Sequence, residues 1–281
     1  MDLFSAARAA FQQEVWSYYN SEGRHDLPWR KDISPYSIVI SEVMLQQTQV
    51  SRVLIKYPEF MNQFPSFADL AVADLSTILI AWQGMGYNRR ARFLQQLAIK
   101  VTSEFVGMLP SDPSELLALP GIGKATASSV AAFAFNVPTV FIETNIRRVF
   151  IHHFFPTSDE VNDRDIAPLV ERTLDRERPR EWYWALMDYG TYLSKHFVNA
   201  NRKSRHYKKQ SRFSGSVREA RGIVLRLLLE GRSLSLAELL SRSLIDEGRL
   251  SVALELLTTE GFIKKTGRLK YSIVGGQTNN T

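Results

Sequence analysis

Hydrophobic residues recur three and four positions apart through most of the first 198 residues, which is the spacing of one face of an α-helix. No long stretch alternates between hydrophobic and polar residues as a half-buried strand does. Clusters such as LPW, MGYN and LPSDPSE separate the helical stretches, and Asp112 or Ser114 is placed to cap the helix after the last of them. The pattern predicts a mainly α body of short helices over residues 1–198.

After Gly215 the pattern changes to three helical stretches and two short runs typical of strands, with a turn at Thr266 and Gly267 between the runs. This is the outline of a winged helix, a module that binds DNA or another protein. Its third helix, LSVALELLTTE, is poor in side chains that read bases, so apart from the basic linker before it we expect phosphate contacts only from the basic residues of the wing. These are Lys264, Lys265, Arg268 and Lys270. We predict a linker over residues 199–216 and a winged-helix-like domain over residues 217–281, with helices at about 217–230, 235–244 and 249–260.

The composition of the 281 residues, 44% hydrophobic and 23% charged, is that of an ordinary folded protein. No hydrophobic run approaches the roughly 18 residues of a membrane helix, and the first residues lack a cleavage pattern, so we expect a cytoplasmic protein without a membrane partner. The absence of cysteine excludes disulfides, thiolate metal ligands and cysteine nucleophiles. The five histidines show no metal-ligand spacing, so we predict neither a metal nor a cofactor.

The net charge of +6 is concentrated in one segment, because residues 199–221 carry eight basic residues and one acid. Tyr207 and Phe213 interrupt this run. A basic segment of this kind either follows a phosphate backbone or is a solvated linker, and the sequence leaves both open. The candidate phosphate contacts in it are Arg202, Lys203, Lys208 and Lys209.

The sequence LPGIGKAT places two glycines between two predicted helices. Glycines allow the backbone to approach a partner closely, and the free N–H groups at the start of the second helix can bind a phosphate oxygen. A tight turn that needs glycine for its backbone conformation is the alternative explanation. The residues concerned are Leu119, Gly121, Gly123 and Lys124.

This segment resembles the signature of the helix-hairpin-helix (HhH-GPD) DNA glycosylase superfamily, which contains endonuclease III. The resemblance covers about residues 25–195 and includes LPWR, SEVMLQQTQ, GMGYNRRAR and VFIETNIRRVF. The stretch SEVMLQQTQ is the most specific and is most similar to the A/G-specific adenine glycosylase (MutY-like) branch. The resemblance implies an enzyme that acts as a monomer on double-stranded DNA with a flipped base and hydrolyses the N-glycosidic bond of that base.

Breaking an N-glycosidic bond requires a proton donor for the departing base and a negative charge beside the sugar. Glu42 lies among apolar neighbours in IVISEVMLQQ, where desolvation would raise its pKa and keep a proton available. Glu143 falls where the superfamily carries an aspartate, and Asn145 matches the neighbour that orients this acid. The extra methylene of Glu143 is a departure from the family, and pairing of Glu143 with Arg147 is an alternative role.

Other residues take their roles from the resemblance. Family members that also cleave the strand carry a lysine at the position of Ala125, so this chain is expected to leave an abasic site without cleaving the strand. Gln47 would intercalate or contact the opposite base, and Tyr87 would wedge beside the flipped nucleotide. Trp29 and Tyr36 would line the base pocket with Ala125. Core packing is an equally good explanation for the aromatic residues.

Two family features are missing. Relatives often hold an iron-sulfur cluster on four cysteines, and many adenine glycosylases have a C-terminal domain related to nucleotide pyrophosphatases where this chain has its winged-helix-like segment. Recognition of 8-oxoguanine is therefore not implied. Two alternatives remain open: excision of a bulky modified or mismatched pyrimidine, for example from modified phage DNA in defence, and DNA binding without catalysis.

Overall fold

The computed structural model describes residues 3–207, 212–231, 233–266 and 270–275. Over these residues the chain is mainly helical, which confirms the predicted fold class. The α-helices, in chain order α1 to α15, are Leu3–Glu22, Pro28–Lys31, Pro35–Leu45, Val50–Gln63, Phe67–Val72, Leu75–Ala81, Arg89–Glu104, Pro113–Leu117, Lys124–Phe135, Thr144–Phe154, Asp163–Thr173, Pro179–His196, Val217–Gly231, Leu236–Ser243 and Glu247–Thr259. The strands, β1 to β3, are Ser233–Ser235, Ile263–Thr266 and Lys270–Ile273, and a short 3-10 helix covers Ala200–Lys203.

The chain divides by spatial contact into two compact units, and each unit combines two separate stretches of sequence. The first unit contains Met1–Val43 and Leu109–Lys209, and the second contains Met44–Met108 and Gln210–Thr281. The division into residues 1–198, 199–216 and 217–281 made from the sequence remains a prediction. None of the helices in the described part of the chain is both long and apolar enough to cross a membrane.

Helix α12 forms the centre of the first unit, where it packs against α1, α9 and α10. Its buried Trp182 meets Phe11 of α1 edge-on, with ring centroids 6.0 Å apart. Asp188 on the same helix is also buried, and both of its oxygens accept hydrogen bonds from Arg30 at 2.7 and 2.9 Å. Burial acts to raise the pKa of Asp188, but the hydrogen bond and charge of Arg30 and the charge of Arg24 leave it below its usual range. The paired carboxylate thus fixes the LPWR segment to α12.

The second unit contains α4 to α7 and the C-terminal module of residues 212–275. Helices α13, α14 and α15 precede the hairpin of β2 and β3 in this module, which is the order predicted for the winged-helix-like segment. The sheet has three antiparallel strands in the order β1-β3-β2, so it includes a strand, β1, that the sequence pattern did not predict. A three-residue strand is too short to show alternation. Gly267 and Arg268 of the predicted wing lie outside the described residues.

Residues 199–207, the first part of the basic segment, belong to the first unit and are tied to it by backbone contacts. Val161 and Ser204 form a parallel β-bridge, and the N–H of Val161 donates to the carbonyl of Lys203 at 2.8 Å. The side chain of Lys203 donates to the carbonyl oxygen of Pro156 at 2.7 Å, whereas Arg202 is exposed. Lys208 and Lys209 lie outside the described residues.

Candidate active site

Glu42 lies on α3, whose residues 38–40, 43 and 44 are buried apolar side chains. Its carboxylate accepts a hydrogen bond from the hydroxyl of Ser129 on α9, with an oxygen-to-oxygen distance of 2.5 Å. The hydroxyl of Ser129 also lies 3.1 Å from the carbonyl oxygen of Thr126. Because a serine has a single proton, it can donate to the carboxylate of Glu42 or to that carbonyl, and in the second case it can accept from protonated Glu42. Ser129 therefore has a partner for either protonation state.

Burial raises the pKa of Glu42 to about 7, against a smaller lowering by the hydrogen bond from Ser129. The negative charge of Glu143 adds to the rise, so the two carboxyl groups lie within electrostatic range of each other. A carboxyl group with a pKa near neutrality can hold a proton at the pH where the protein works and can release it in a reaction. The burial that the sequence predicts for Glu42, and with it the cause of a raised pKa, is thus confirmed.

We expect Ser129→Ala to move the alkaline limb of the pH–rate profile to higher pH by about one unit, because a hydrogen bond that stabilises the carboxylate is lost. The direction follows from the role of Glu42 as an acid: activity falls as pH rises through its pKa, and removal of Ser129 raises that pKa. The measurement is single-turnover base release from pH 5 to 9. Ser128→Ala on the same helix is the matched control and should keep the wild-type profile; a limb that stays in place in Ser129→Ala, or moves to lower pH, contradicts the prediction.

Glu143 caps the N-terminus of α10. Its Oε1 accepts hydrogen bonds from the backbone N–H groups of Asn145 and Ile146 at 2.6 and 2.8 Å. Burial raises the pKa of Glu143, whereas these two N–H donors and the charges of Arg148 and Arg147 lower it, and burial has the larger effect. The donors and the positive end of the helix dipole stabilise the ionised carboxylate. The cap also holds the longer glutamate side chain in a single orientation.

The alternative role considered for Glu143, an ion pair with Arg147, is not what the structure shows. Arg147 instead makes two hydrogen bonds of 2.7 Å to the carboxylate of Asp163, the first residue of α11. The spacing i to i+4 requires both residues to lie within the helix, but Glu143 occupies the extended N-cap position outside it. Arg147 therefore ties α10 to α11 and leaves Glu143 as a cap.

Asn145 donates its Nδ2 to Oε2 of Glu143 at 3.3 Å, which is the orienting contact expected of it. The amide cannot face the other way, because its Oδ1 accepts from Nη1 of Arg148 at 2.7 Å and an arginine only donates. The same Nη1 donates to the carbonyl oxygen of Gly190 on α12 at 2.8 Å. A side chain at Gly190 would place its Cβ 2.6 Å from the carbonyl oxygen of Asn145, so only glycine allows α12 to approach this closely.

The glycine turn between α8 and α9 has the predicted form. Gly121 has a φ of +78° and Gly123 is the N-cap of α9. Leu119 is buried, whereas Gly121, Gly123, Lys124 and Ala125 are exposed, so the start of α9 presents its N–H groups and one ammonium group at the surface. Asp112, and not Ser114, caps α8, because its Oδ1 accepts the N–H of Ser114 at 2.7 Å.

The remaining candidate residues differ in exposure. Gln47 and Tyr87 are exposed, and both have the positive φ that side chains rarely adopt, +54° and +47°. Trp29 and Tyr36 are buried at 5% and 8% exposure, which favours core packing for both. Their assignment to a base pocket stays a prediction, as do the DNA contacts assigned to Gln47 and Tyr87.

Three residues near the two carboxyl groups were not predicted: Ser129, Arg148 and Asn201. Asn201 is buried in the 3-10 helix, and its side chain donates to the carbonyl oxygen of Thr144, next to the cap of α10, at 3.0 Å. Its position in the polar stretch NANRKS gives no sign of this contact. Within the described ranges no group of three or more histidine, aspartate or glutamate side chains is arranged to hold a metal ion.

This chain is similar to known DNA repair proteins. The family model of the HhH-GPD superfamily of base excision DNA repair proteins matches residues 40–171. The adenine DNA glycosylase of Mycolicibacterium smegmatis is 30% identical over 280 residues, which cover 93% of this chain and 95% of that protein. The adenine DNA glycosylases of Buchnera aphidicola and Rattus norvegicus are 36% and 37% identical over 65% and 67% of this chain. This chain spans only 52% and 39% of those two relatives.

Solved structures give the same fold. A thermostable thymine-DNA glycosylase aligns with a TM-score of 0.60 at 26% identity. The alignment covers 67% of this chain and 88% of the chain of that glycosylase. A non-covalent endonuclease III-DNA complex aligns with a TM-score of 0.54 at 23% identity. The alignment covers 76% of this chain and 91% of the protein chain in that complex. At that identity the second match is informative about the fold alone.

Proposed function

Because this chain belongs to the HhH-GPD superfamily of base excision DNA repair proteins, we propose that it is a DNA glycosylase that releases a mispaired or modified base from double-stranded DNA. The observation that carries the proposal is the pair of carboxyl groups: Glu42, with a pKa raised by burial to about 7, and Glu143, held by the N-terminus of α10. Adenine is the proposed leaving base, since adenine DNA glycosylase is the name of the relatives that the chain resembles.

In this proposal Glu42 gives its proton to a ring nitrogen of the base as the bond to C1′ breaks. Glu143, oriented by Asn145, stabilises the positive charge that develops on the sugar. Water adds its hydroxide to C1′, and its remaining proton restores the carboxyl group of Glu42. The products are the free base and an abasic site.

Strand cleavage by a Schiff base needs an amine beside C1′, and Ala125 has none. We therefore propose a monofunctional glycosylase. Lys124 is the neighbouring amine, but it lies about 100° further round the start of α9, and we assign it to a DNA phosphate together with Gly121, Gly123 and the exposed Arg202. Borohydride reduction during turnover should therefore trap no covalent protein-DNA adduct.

A second candidate substrate is a mismatched pyrimidine. The thymine-DNA glycosylase among the structural neighbours favours it, and the replacement of aspartate by Glu143 means that the carboxylate reaches the sugar from a different backbone distance. In both cases Gln47 and Tyr87 are the proposed contacts to the duplex around the extruded nucleotide.

Incubation with defined duplexes tests the proposed function. The set contains adenine opposite 8-oxoguanine, adenine opposite guanine, thymine opposite guanine, uracil, and glucosylated hydroxymethylcytosine, followed by hot alkali to cleave abasic sites. We expect cleavage of an adenine-containing duplex only after alkali. Preferred cleavage of a pyrimidine duplex supports the second candidate, and no cleavage of any duplex leaves only DNA binding.

A further inference from the structure

Tyr87 has a strained backbone conformation, and two arginines lie next to its ring. Its φ of +47° is one that non-glycine residues rarely adopt, and such strain persists only where the surroundings fix it. The flanking Gly84 and Gly86 also have positive φ, +85° and +68°. The loop GMGYN is thus a sharp turn that directs one 38% exposed aromatic ring outward.

Arg90 is the first residue that fixes this loop. It is buried, and its Nη2 donates to the carbonyl oxygens of Met85 and Gly86 at 3.0 Å each. Its Nη1 donates to the carbonyl oxygen of Met44 in the last turn of α3 at 2.9 Å, and to that of Gln46, in the loop that carries Gln47, at 2.6 Å. One buried guanidinium therefore joins the Tyr87 loop to the Gln47 loop.

Arg218, which belongs to the C-terminal module, is the second residue that contacts Tyr87. Its Nη1 donates to the hydroxyl of Tyr87 at 2.9 Å, and its guanidinium carbon lies 5.9 Å from the centre of the ring. The guanidinium of Arg90 lies 5.7 Å from the same centre. Two cations next to one ring, one of them also bonded to its hydroxyl, restrict the side-chain torsions of Tyr87.

Arg218 is itself well anchored. It lies in the first turn of α13, where the N–H of Gly215 donates to Oε2 of Glu219 at 2.6 Å. One turn later Arg221 pairs with Glu260 after α15. These contacts hold the segment that carries Arg218 within the module.

The module meets the same segment at a second point. The guanidinium of Arg92 on α7 lies 5.8 Å from the centre of the Phe262 ring, and a Cβ at Gly261 would lie 2.6 Å from its Nη1. Contacts at Tyr87 and Arg92 thus join the module to residues 87–92, where the GMGYN loop ends and α7 begins. A displaced module would therefore remove the hydrogen bond between Arg218 and the Tyr87 hydroxyl.

We propose that the winged-helix-like module is a positioning element for the Tyr87 side chain, and that Arg218 is the positioning residue through which it acts. This inference rests on the proposed function, in which Tyr87 contacts the duplex beside the extruded nucleotide. It gives the module a role in base extrusion that does not require its third helix to read DNA. The polar bond to the tyrosine hydroxyl makes the role specific to tyrosine, because phenylalanine has the ring without the acceptor.

The test uses Glu42→Gln protein, which keeps the target base in place, and a duplex with 2-aminopurine at the target position opposite guanine. Extrusion of 2-aminopurine from the stack raises its fluorescence. We expect Arg218→Ala to reduce the rise by half or more, and Tyr87→Phe to do the same, with no further loss in the double variant because both remove the same bond. Arg226→Ala, an exposed arginine on the same helix, is the matched control for loss of one positive charge and should keep the full rise.

Affinity for the duplex, measured in parallel, separates positioning from charge: Arg218→Ala should weaken binding no more than Arg226→Ala. A full fluorescence rise in Arg218→Ala, additive losses in the double variant, or no rise in the parent protein overturns the proposal. In the Glu42-containing background, Arg218→Ala should also slow base release by roughly tenfold. Absence of base release by the wild-type protein would count against the proposed function, whereas the fluorescence comparison still decides the role of Arg218.

Discussion

Glu42→Gln is expected to reduce base release about a thousandfold at pH 7, since the change removes the proton donor and general acids of this kind contribute roughly a hundredfold to ten-thousandfold. Glutamine has the same shape and still accepts the hydrogen bond from Ser129, so the packing of α3 against α9 is retained. The measurement is a single-turnover rate with enzyme in excess over the preferred duplex.

The stability of the same variant distinguishes loss of chemistry from loss of structure. Folding raises the pKa of Glu42 from 4.5 to about 7, so the native state binds a proton that the unfolded chain has released between those pH values. The carboxyl group therefore contributes most to native stability below pH 4.5, and that contribution is lost as pH rises through 7. We expect Glu42→Gln to have a Tm at pH 8 equal to or above that of the wild type.

Glu59→Gln is the matched control, because Glu59 is an exposed carboxylate on α4 and undergoes the same chemical change. It should release base at the wild-type rate. Wild-type base release in Glu42→Gln, or equal losses in the two variants, would remove Glu42 from the mechanism.

Glu143→Gln is expected to lower the rate of base release about a hundredfold, because the neutral amide no longer stabilises positive charge on the sugar. The amide oxygen can still accept the N–H groups of Asn145 and Ile146, so the cap of α10 is kept and Tm should fall by only a few degrees.

Glu143→Asp provides the comparison at constant charge. Aspartate is a favourable N-cap, but its carboxylate lies one methylene closer to the backbone, and a displacement of about 1 Å can cost up to a hundredfold. We expect a rate between those of the wild type and Glu143→Gln. A rate of Glu143→Asp above that of the wild type would show that this pocket does not depend on the longer side chain. Wild-type activity in Glu143→Gln would show that charge at this position is not needed.

The sequence by itself determined the local elements. The period of three and four residues placed most helices, Gly121 and Gly123 marked the turn before α9, and the hydrophobic surroundings of Glu42 indicated a raised pKa. These features depend on neighbours within one or two helical turns, so a linear pattern contains them. The three helices and the β2–β3 hairpin of the C-terminal module were predicted for the same reason.

Only the tertiary structure decided which residues complete the site. Ser129 meets Glu42 across 87 residues of sequence, Arg148 fixes Asn145 through the carbonyl of Gly190 on another helix, and Arg218 reaches Tyr87 across 131 residues. No period or spacing encodes such pairs, because each depends on the angle and distance at which two separate helices pack. The tertiary structure also decided the short strand β1 and the ion pair that Arg147 forms with Asp163 and not with Glu143. In both cases the packed core brings partners that are separated in sequence into hydrogen-bonding distance.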